Sequence, residues 1–245
     1  MISSPTIWSA SQEPSLEVYL LGLVDFESCL YLQDKLVGEI GDRNDGQGAL
    51  LMCEHPPLIT IGREGSRSHI ACDPQELTAR QIDVRWLNRG GPCVMHTPGQ
   101  LALYPIIPLE RRGLGLASYR DRLEGAVMDS CGELQVPAWV RPETPGVWCR
   151  CGQIAQLGVA VRSWVSYHGM FVNVCPSLDL QKLVHPPEAA NRMTSLSAQR
   201  VRPTSLHSVR ESLMRRVAER LGYTRYHVYT GHPLLRRTKR IVAYA

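Results

Sequence analysis

One stretch constrains this chain more than any other: Arg89-Gly90-Gly91-Pro92-Cys93-Val94-Met95-His96-Thr97-Pro98-Gly99-Gln100-Leu101-Ala102-Leu103-Tyr104-Pro105. Its glycine pair lets the backbone turn with positive φ or approach a neighbour with no Cβ in the way, and Pro98-Gly99 makes a second tight turn after His96. Short apolar runs lie between and after the turns. The spacing predicts a loop, a strand, a turn and a second strand carrying Leu101, Leu103 and Tyr104, with Arg89 and His96 as the polar groups at the turns. By itself the pattern fits a glycine-rich hairpin with a surface arginine and a core histidine.

On either side, strand and helix signals alternate. Residues 16–23 read as a strand. Asp25 and Ser28 open a helix whose Leu30, Leu32, Leu36, Val37 and Ile40 recur at helical spacing before Gly41. Two short buried strands, 49–53 and 58–61, flank the rigid corner His55-Pro56-Pro57, and Gly62-Arg63 follows. Residues 74–81 read as a helix capped by Asp73 with Pro74 in its first turn, and 84–87 as a strand leading to Arg89. Residues 116–134 form an amphipathic pattern with Tyr119, Leu123, Ala126 and Val127 on one face. From Val147 to Arg162 the sequence alternates, which predicts a strand pair or one strand bent around Gly158. Thr204 or Ser205 caps a last helix with Val209, Leu213, Val217 and Leu221 on one side and Gly222 at its end. Arg210, Arg215, Arg216 and Arg220 lie on its other faces, as a basic outer surface or a docking face for an acidic carrier protein.

A chain of 245 residues with 44% apolar side chains can bury one large core, so a single α/β domain over 15–231 is expected, with a loose arm at 1–14 and a basic tail at 232–245. No run of about 18 apolar residues and no signal-peptide pattern is present, so the expectation is a cytoplasmic protein without a membrane span. A net charge of +4 is too small to argue for nucleic acid. Lysine occurs only at Lys35, Lys182 and Lys239, and Arg236, Arg237, Lys239 and Arg240 crowd the C-terminus as a solvated end or a patch for acidic partners. The eight cysteines show no zinc-type spacing, Cys149-x-Cys151 being the one close pair. Free thiols, mostly small packing groups, are expected, with no metal site and no cofactor.

Taken with its neighbours, the central stretch resembles the RGG-x-x-x-x-H-x-PGQ-L-x-x-YP signature of the lipoyl (octanoyl) transferase family, relatives of lipoate and biotin protein ligases. Leu21-Gly22-Leu23-Val24-Asp25, Glu54-His55-Pro56-Pro57 with Ile61-Gly62-Arg63, Gly146-Val147-Trp148, Ile154-Ala155 with Leu157-Gly158-Val159, His168-Gly169 with Asn173-Val174, and Thr194-Ser195-Leu196 extend the likeness in order from about residue 18 to about residue 222. The resemblance implies a mixed sheet flanked by helices. It also implies transfer of octanoyl from acyl carrier protein to a lysine of lipoyl domains in 2-oxoacid dehydrogenases or the glycine cleavage protein, by a monomer.

The same resemblance locates a departure. The family carries a lysine just before Ile-Ala, where this chain has Gln153, and a cysteine nucleophile in an Ile-x-Pro-Cys-Gly loop, where gap-free counting reaches Pro187. An amide neither relays a proton nor lowers a thiol's pKa, and proline offers no nucleophile. If residues 151 and 153 are both extended, Cys151 shares a face with Gln153 and is the best substitute thiol. Cys175, two residues after Asn173, and Cys93, inside the loop, are the others, with His185 as a candidate base. The implied acyl-binding residues are Arg89, Gly90, Gly91, Pro92, Cys93, Val94, Met95 and His96, then Gln156, Leu157 and Gly158, then Gly169, Met170 and Phe171. Leu157, Met170 and Phe171 suit an aliphatic tail, and Arg89 and His96 suit its polar head. Phe171 stands where the family has a small alanine. Two functions follow: a divergent octanoyl transferase, working by direct aminolysis or a relocated thiol, or an inactive acyl- or carrier-binding relative. An ATP-dependent ligase is weaker, since related ligases also use the missing lysine.

Overall fold

The computed structural model describes residues 13–185, 192–200 and 204–235. Chain order is β1 (Ser15–Leu23), α1 (Phe26–Asp42), β2 (Gly48–Glu54), β3 (Leu58–Ile61), α2 (Pro74–Ala79), β4 (Asp83–Trp86), β5 (Cys93–His96), β6 (Gln100–Ile106), α3 (Leu116–Glu133), β7 (Ala138–Val140), β8 (Gly146–Cys149), β9 (Gly152–Arg162), β10 (Val165–Asn173), α4 (Leu178–Gln181), α5 (Leu206–Arg220) and β11 (Arg225–Thr230). Eight strands make a mixed sheet in the order β11-β1-β2-β6-β10-β9-β8-β7, and β4-β3-β5 make a second, smaller one. The α/β architecture with a mixed, helix-flanked sheet is therefore as the sequence predicts. Among the described residues no helix is long and apolar enough to cross a membrane.

Local chemistry sets the elements. Asp25 caps α1 through the Ser28 N–H (2.9 Å), and Asp73 caps α2 through the Glu76 N–H (2.7 Å). β2 is buried on both faces: Leu50 and Met52 join a core under α3 and α5, while Ala49, Leu51 and Cys53 join another under α1. That double burial is why its sequence is a continuous apolar run rather than an alternating one. On α5, Val209, Leu213 and Val217 close the first core, each worth about 1.5–3 kcal/mol by burial.

Three expectations change in detail. The central stretch is not a hairpin, because β5 pairs with β3 in the small sheet while β6 pairs with β2 and β10 in the large one. The Pro98-Gly99 turn thus carries the chain from one sheet to the other. Gly99 (φ +87°) is required there, since a Cβ would lie 2.4 Å from the Cys175 carbonyl oxygen. The alternating run from Val147 forms the strand pair, turning at Arg150 and Cys151, and Gly158 lies inside β9. The basic surface of α5 stays at the surface but is largely paired: Arg215 and Arg216 pair with Glu133 of α3, and Arg220 with Asp129. Strands β7 and β11 carry no signal the sequence reading used. The N-terminal arm up to residue 12, and Arg236, Arg237, Lys239 and Arg240, lie outside the described residues.

Candidate active site

The RGG loop is built by close backbone approach. Gly90 N–H donates to Val159 O (2.8 Å) in β9, Arg63 N–H to Arg89 O (2.9 Å), and Glu64 N–H to Gly91 O (3.2 Å). A Cβ on Gly91 (φ +78°) would fall 2.5 Å from Leu157 O, and one on Gly158 would fall 2.6 Å from Arg89 Nη1. The Gly62-Arg63 turn, the RGG loop and the Leu157-Gly158-Val159 stretch therefore interlock. Their small residues are needed for that contact whatever else they touch.

Arg89 is fully buried. Its guanidinium donates to Gly90 O (2.9 Å), Thr60 O (3.2 Å) and Thr60 Oγ1 (2.7 Å), and stands 5.5 Å from the Phe171 ring. Burial pushes its pKa down to about 10, so it remains a cation at neutral pH. Thr60 Oγ1, which accepts from Arg89, is also hydrogen-bonded to His96 Nε2, 2.9 Å away. Burial, with His55 and Arg89 nearby, holds His96 well below the usual histidine pKa, hence neutral. The two polar groups named by the sequence are thus joined through Thr60. Sequence reasoning missed Thr60, although one hydroxyl in the apolar strand Leu58-Ile59-Thr60-Ile61 is its signal.

Gln153 and Gln156 both face the small sheet. The β8–β9 register slips between Val147, opposite Ala155, and Trp148, opposite Gln153, so Ile154 is the extra residue of a bulge and the two glutamines leave β9 on one side. Gln153 Nε2 donates to Pro145 O (3.1 Å), and its backbone pairs with Arg192 O and Thr194 N. Gln156 Nε2 donates to Cys93 O (3.2 Å), and Gln181 Nε2 to Met95 O (3.0 Å). The gap between Met95, Gln156, Gln181, Val184 and Met193 has no room for a water molecule. Across β10, Gly169 pairs with Gly158 and Phe171 with Gln156. A Cβ on Gly169 would meet Leu103 O at 2.1 Å. The Phe171 ring is buried edge-on against His96 (4.7 Å) and near Tyr104 (6.0 Å). The Phe171 ring therefore borders both Arg89 and His96.

Against this geometry, the family model described as the lipoyl protein ligase A/B catalytic domain matches residues 25–218. The chain belongs to that family. Relatives of this lipoyl protein ligase A/B member include an octanoyltransferase of Geobacter metallireducens, 39% identical over 79% of this chain and 87% of the relative. Another, from Methylococcus capsulatus, is 35% identical over 74% and 86%. Solved structures with the same fold include a bi-partite lipoate protein ligase of Thermoplasma acidophilum (TM-score 0.72, 17% identity, 91% of this chain and 89% of that one) and a lipoate-protein ligase A bound with ATP (0.70, 17%, 91% and 90%).

The substitute thiols fare unevenly in this member of the family. Cys151 sits exposed in the β8–β9 turn, outside the strand, so the premise that it shares an extended face with Gln153 does not hold. Cys93 is buried, donates its thiol to Ser66 O (3.3 Å), and has its pKa raised by burial. Cys175 is exposed beyond β10, and its pKa is likewise raised. His185 is exposed, its backbone N–H held by His69 O (2.7 Å). Pro92 and Val94 complete the loop and β5, Val94 packing in the core under α1, and Leu157 and Met170 pack in the core under α3 and α5. Pro187 lies outside the described residues.

Proposed function

We propose that this chain acts in lipoate biosynthesis as an octanoyl transferase, carrying the acyl group from acyl carrier protein to a lysine of a lipoyl domain. The observation that carries the reading is the likeness to octanoyltransferases over most of both chains, the RGG signature included. A thioester on the protein is not part of the reading, because Gln153 and Pro187 stand at the lysine and cysteine positions. The reaction is then direct: the acceptor amine adds to the thioester carbonyl, an amide C–N bond forms, the C–S bond breaks, and the amine's proton leaves with the carrier thiol. Holding two reactants together is worth an effective molarity of roughly 10⁵–10⁸ M, which makes such a route chemically sufficient. The Arg89 cation supplies a positive end near the loop.

One observation favours a second reading, an acyl-carrier binder without turnover: the Phe171 ring buried beside Arg89 and His96. Incubation with octanoyl carrier protein and an apo lipoyl domain, followed by intact mass, separates the two. Octanoylated lipoyl domain supports transfer; a stable complex with no mass shift supports the binder.

A further inference from the structure

The α1 side of the large sheet holds a cluster that octanoyl transfer does not use. Cys29 on α1, Cys53 on β2 and His55 just beyond it are each 1% exposed or less, and their donor atoms all lie within 4.8 Å of one another. Among the described residues no other group of three histidine, cysteine or acidic side chains comes so close. Cys29 Sγ is 3.9 Å from Cys53 Sγ, and Cys53 Sγ is 3.4 Å from His55 Nε2. An ion about 2.3 Å from each sulfur and about 2.0 Å from nitrogen, with tetrahedral angles, separates those donors by about 3.8 and about 3.5 Å. Those two pairs already stand at that spacing, and the third lies within 4.8 Å.

Their surroundings fit as well. His55 Nδ1 lies 2.8 Å from Val24 O, which fixes the proton there, the outer arrangement that metal-binding histidines show, and leaves Nε2 an acceptor that stands 2.8 Å from Tyr104 Oη and 3.4 Å from Cys53 Sγ. Gln33 Nε2 approaches Cys29 Sγ at 3.9 Å, while its Oε1 accepts from His168 N (2.8 Å), so its N–H is oriented toward the sulfur. The Tyr104 hydroxyl, hydrogen-bonded to His55 Nε2 at 2.8 Å, gives up the Nε2 lone pair when an ion binds. Two thiolates and an imidazole select a soft d¹⁰ cation over magnesium or calcium. We propose that Cys29, Cys53 and His55 form a buried structural site for a thiophilic d¹⁰ cation, Zn²⁺ or Cu⁺, taken up as the chain folds. Zinc-type spacing is absent from the sequence because Cys29 comes from a helix and the Cys53-x-His55 pair from a strand end.

The test is metal content of the full chain, expressed under reducing conditions with added zinc or copper and passed over chelating resin. Cobalt(II) refolding serves as the optical probe of thiolate ligation. A single ion per chain is expected, with cobalt–thiolate charge-transfer bands. Cys29→Ser and Cys53→Ser should each lower metal content about tenfold or more, while Cys151→Ser and Cys175→Ser, at exposed thiols, leave it unchanged. Retention of zinc or of copper says which ion the site takes. Should the two core variants fail to fold, stripping the wild type with a strong chelator during thermal unfolding decides instead, the expected result being a lower Tm restored by the same ion. Metal-free wild-type protein from both media, a Tm indifferent to chelator, or a Cys29–Cys53 disulfide in the freshly purified chain would overturn the proposal.

Discussion

Phe171 is the residue on which the site's capacity turns. Truncation to alanine removes a ring packed on Arg89 and His96, and should destabilise the fold by about 3–5 kcal/mol in urea unfolding. The same change should make octanoate raise the variant's Tm more than it raises that of the parent. His168 makes a second prediction. Burial, with Arg89 nearby, pushes its pKa down to about 3, so below the ordinary value of about 6.5 the unfolded chain binds a proton that the folded chain does not. Its contribution is therefore fully present above about pH 6.5 and is lost as pH falls toward about 3. Between pH 7 and pH 5 urea unfolding should register a loss of about 2 kcal/mol from His168 alone, and His96 adds loss of the same sign. His168→Asn, a residue tolerant of the φ of +54° there, should flatten the profile. His96 reads as a core histidine from its stretch, but the burial of His168 was not legible beforehand: a histidine in His168-Gly169 looks the same in sequence whether its ring meets water or Tyr104.

At the scale of elements, the sequence located most helices and strands to within a residue or two, because caps and periodicity are local. Asp25, Asp73 and Gly222 mark ends by interactions spanning only a few residues. Which strand pairs with which is not local, so the central stretch looked like a hairpin although β5 and β6 lie in different sheets. The bulge that turns Gln153 to the side of Gln156 is equally silent, since one extra residue leaves the alternating pattern almost intact. The arginines of α5 looked like a docking surface because their partners, Glu133 and Asp129, are about 80–90 residues away in the chain. Glu133 accepts from Ser212, Arg215 and Arg216, and these contacts pull its pKa down to about 2. Glu133→Gln should loosen α3 from α5 by about 1–3 kcal/mol, with less dependence on salt than the parent shows.

At the scale of the whole molecule, the proposed direct transfer sets a different chemistry on the family's scaffold. Gly62, Gly91, Gly158 and Gly169 are each required by backbone contacts between the small sheet, the RGG loop and the large sheet, so the signature is as much about assembly as about ligand. Much of the motif's legibility came from that demand. In the proposed reading, what the protein does with an acyl group turns instead on Gln153 and Phe171, and so on chemistry rather than on fold. The most direct measurement follows the intact mass of an apo lipoyl domain incubated with octanoyl carrier protein and this chain, alongside a variant in which the candidate thiols Cys93, Cys151 and Cys175 are changed to serine or alanine. Octanoyl addition to the lipoyl-domain lysine by both proteins, above the background without either, is the predicted result. No addition by the wild type, or addition lost once the thiols are gone, would contradict direct transfer.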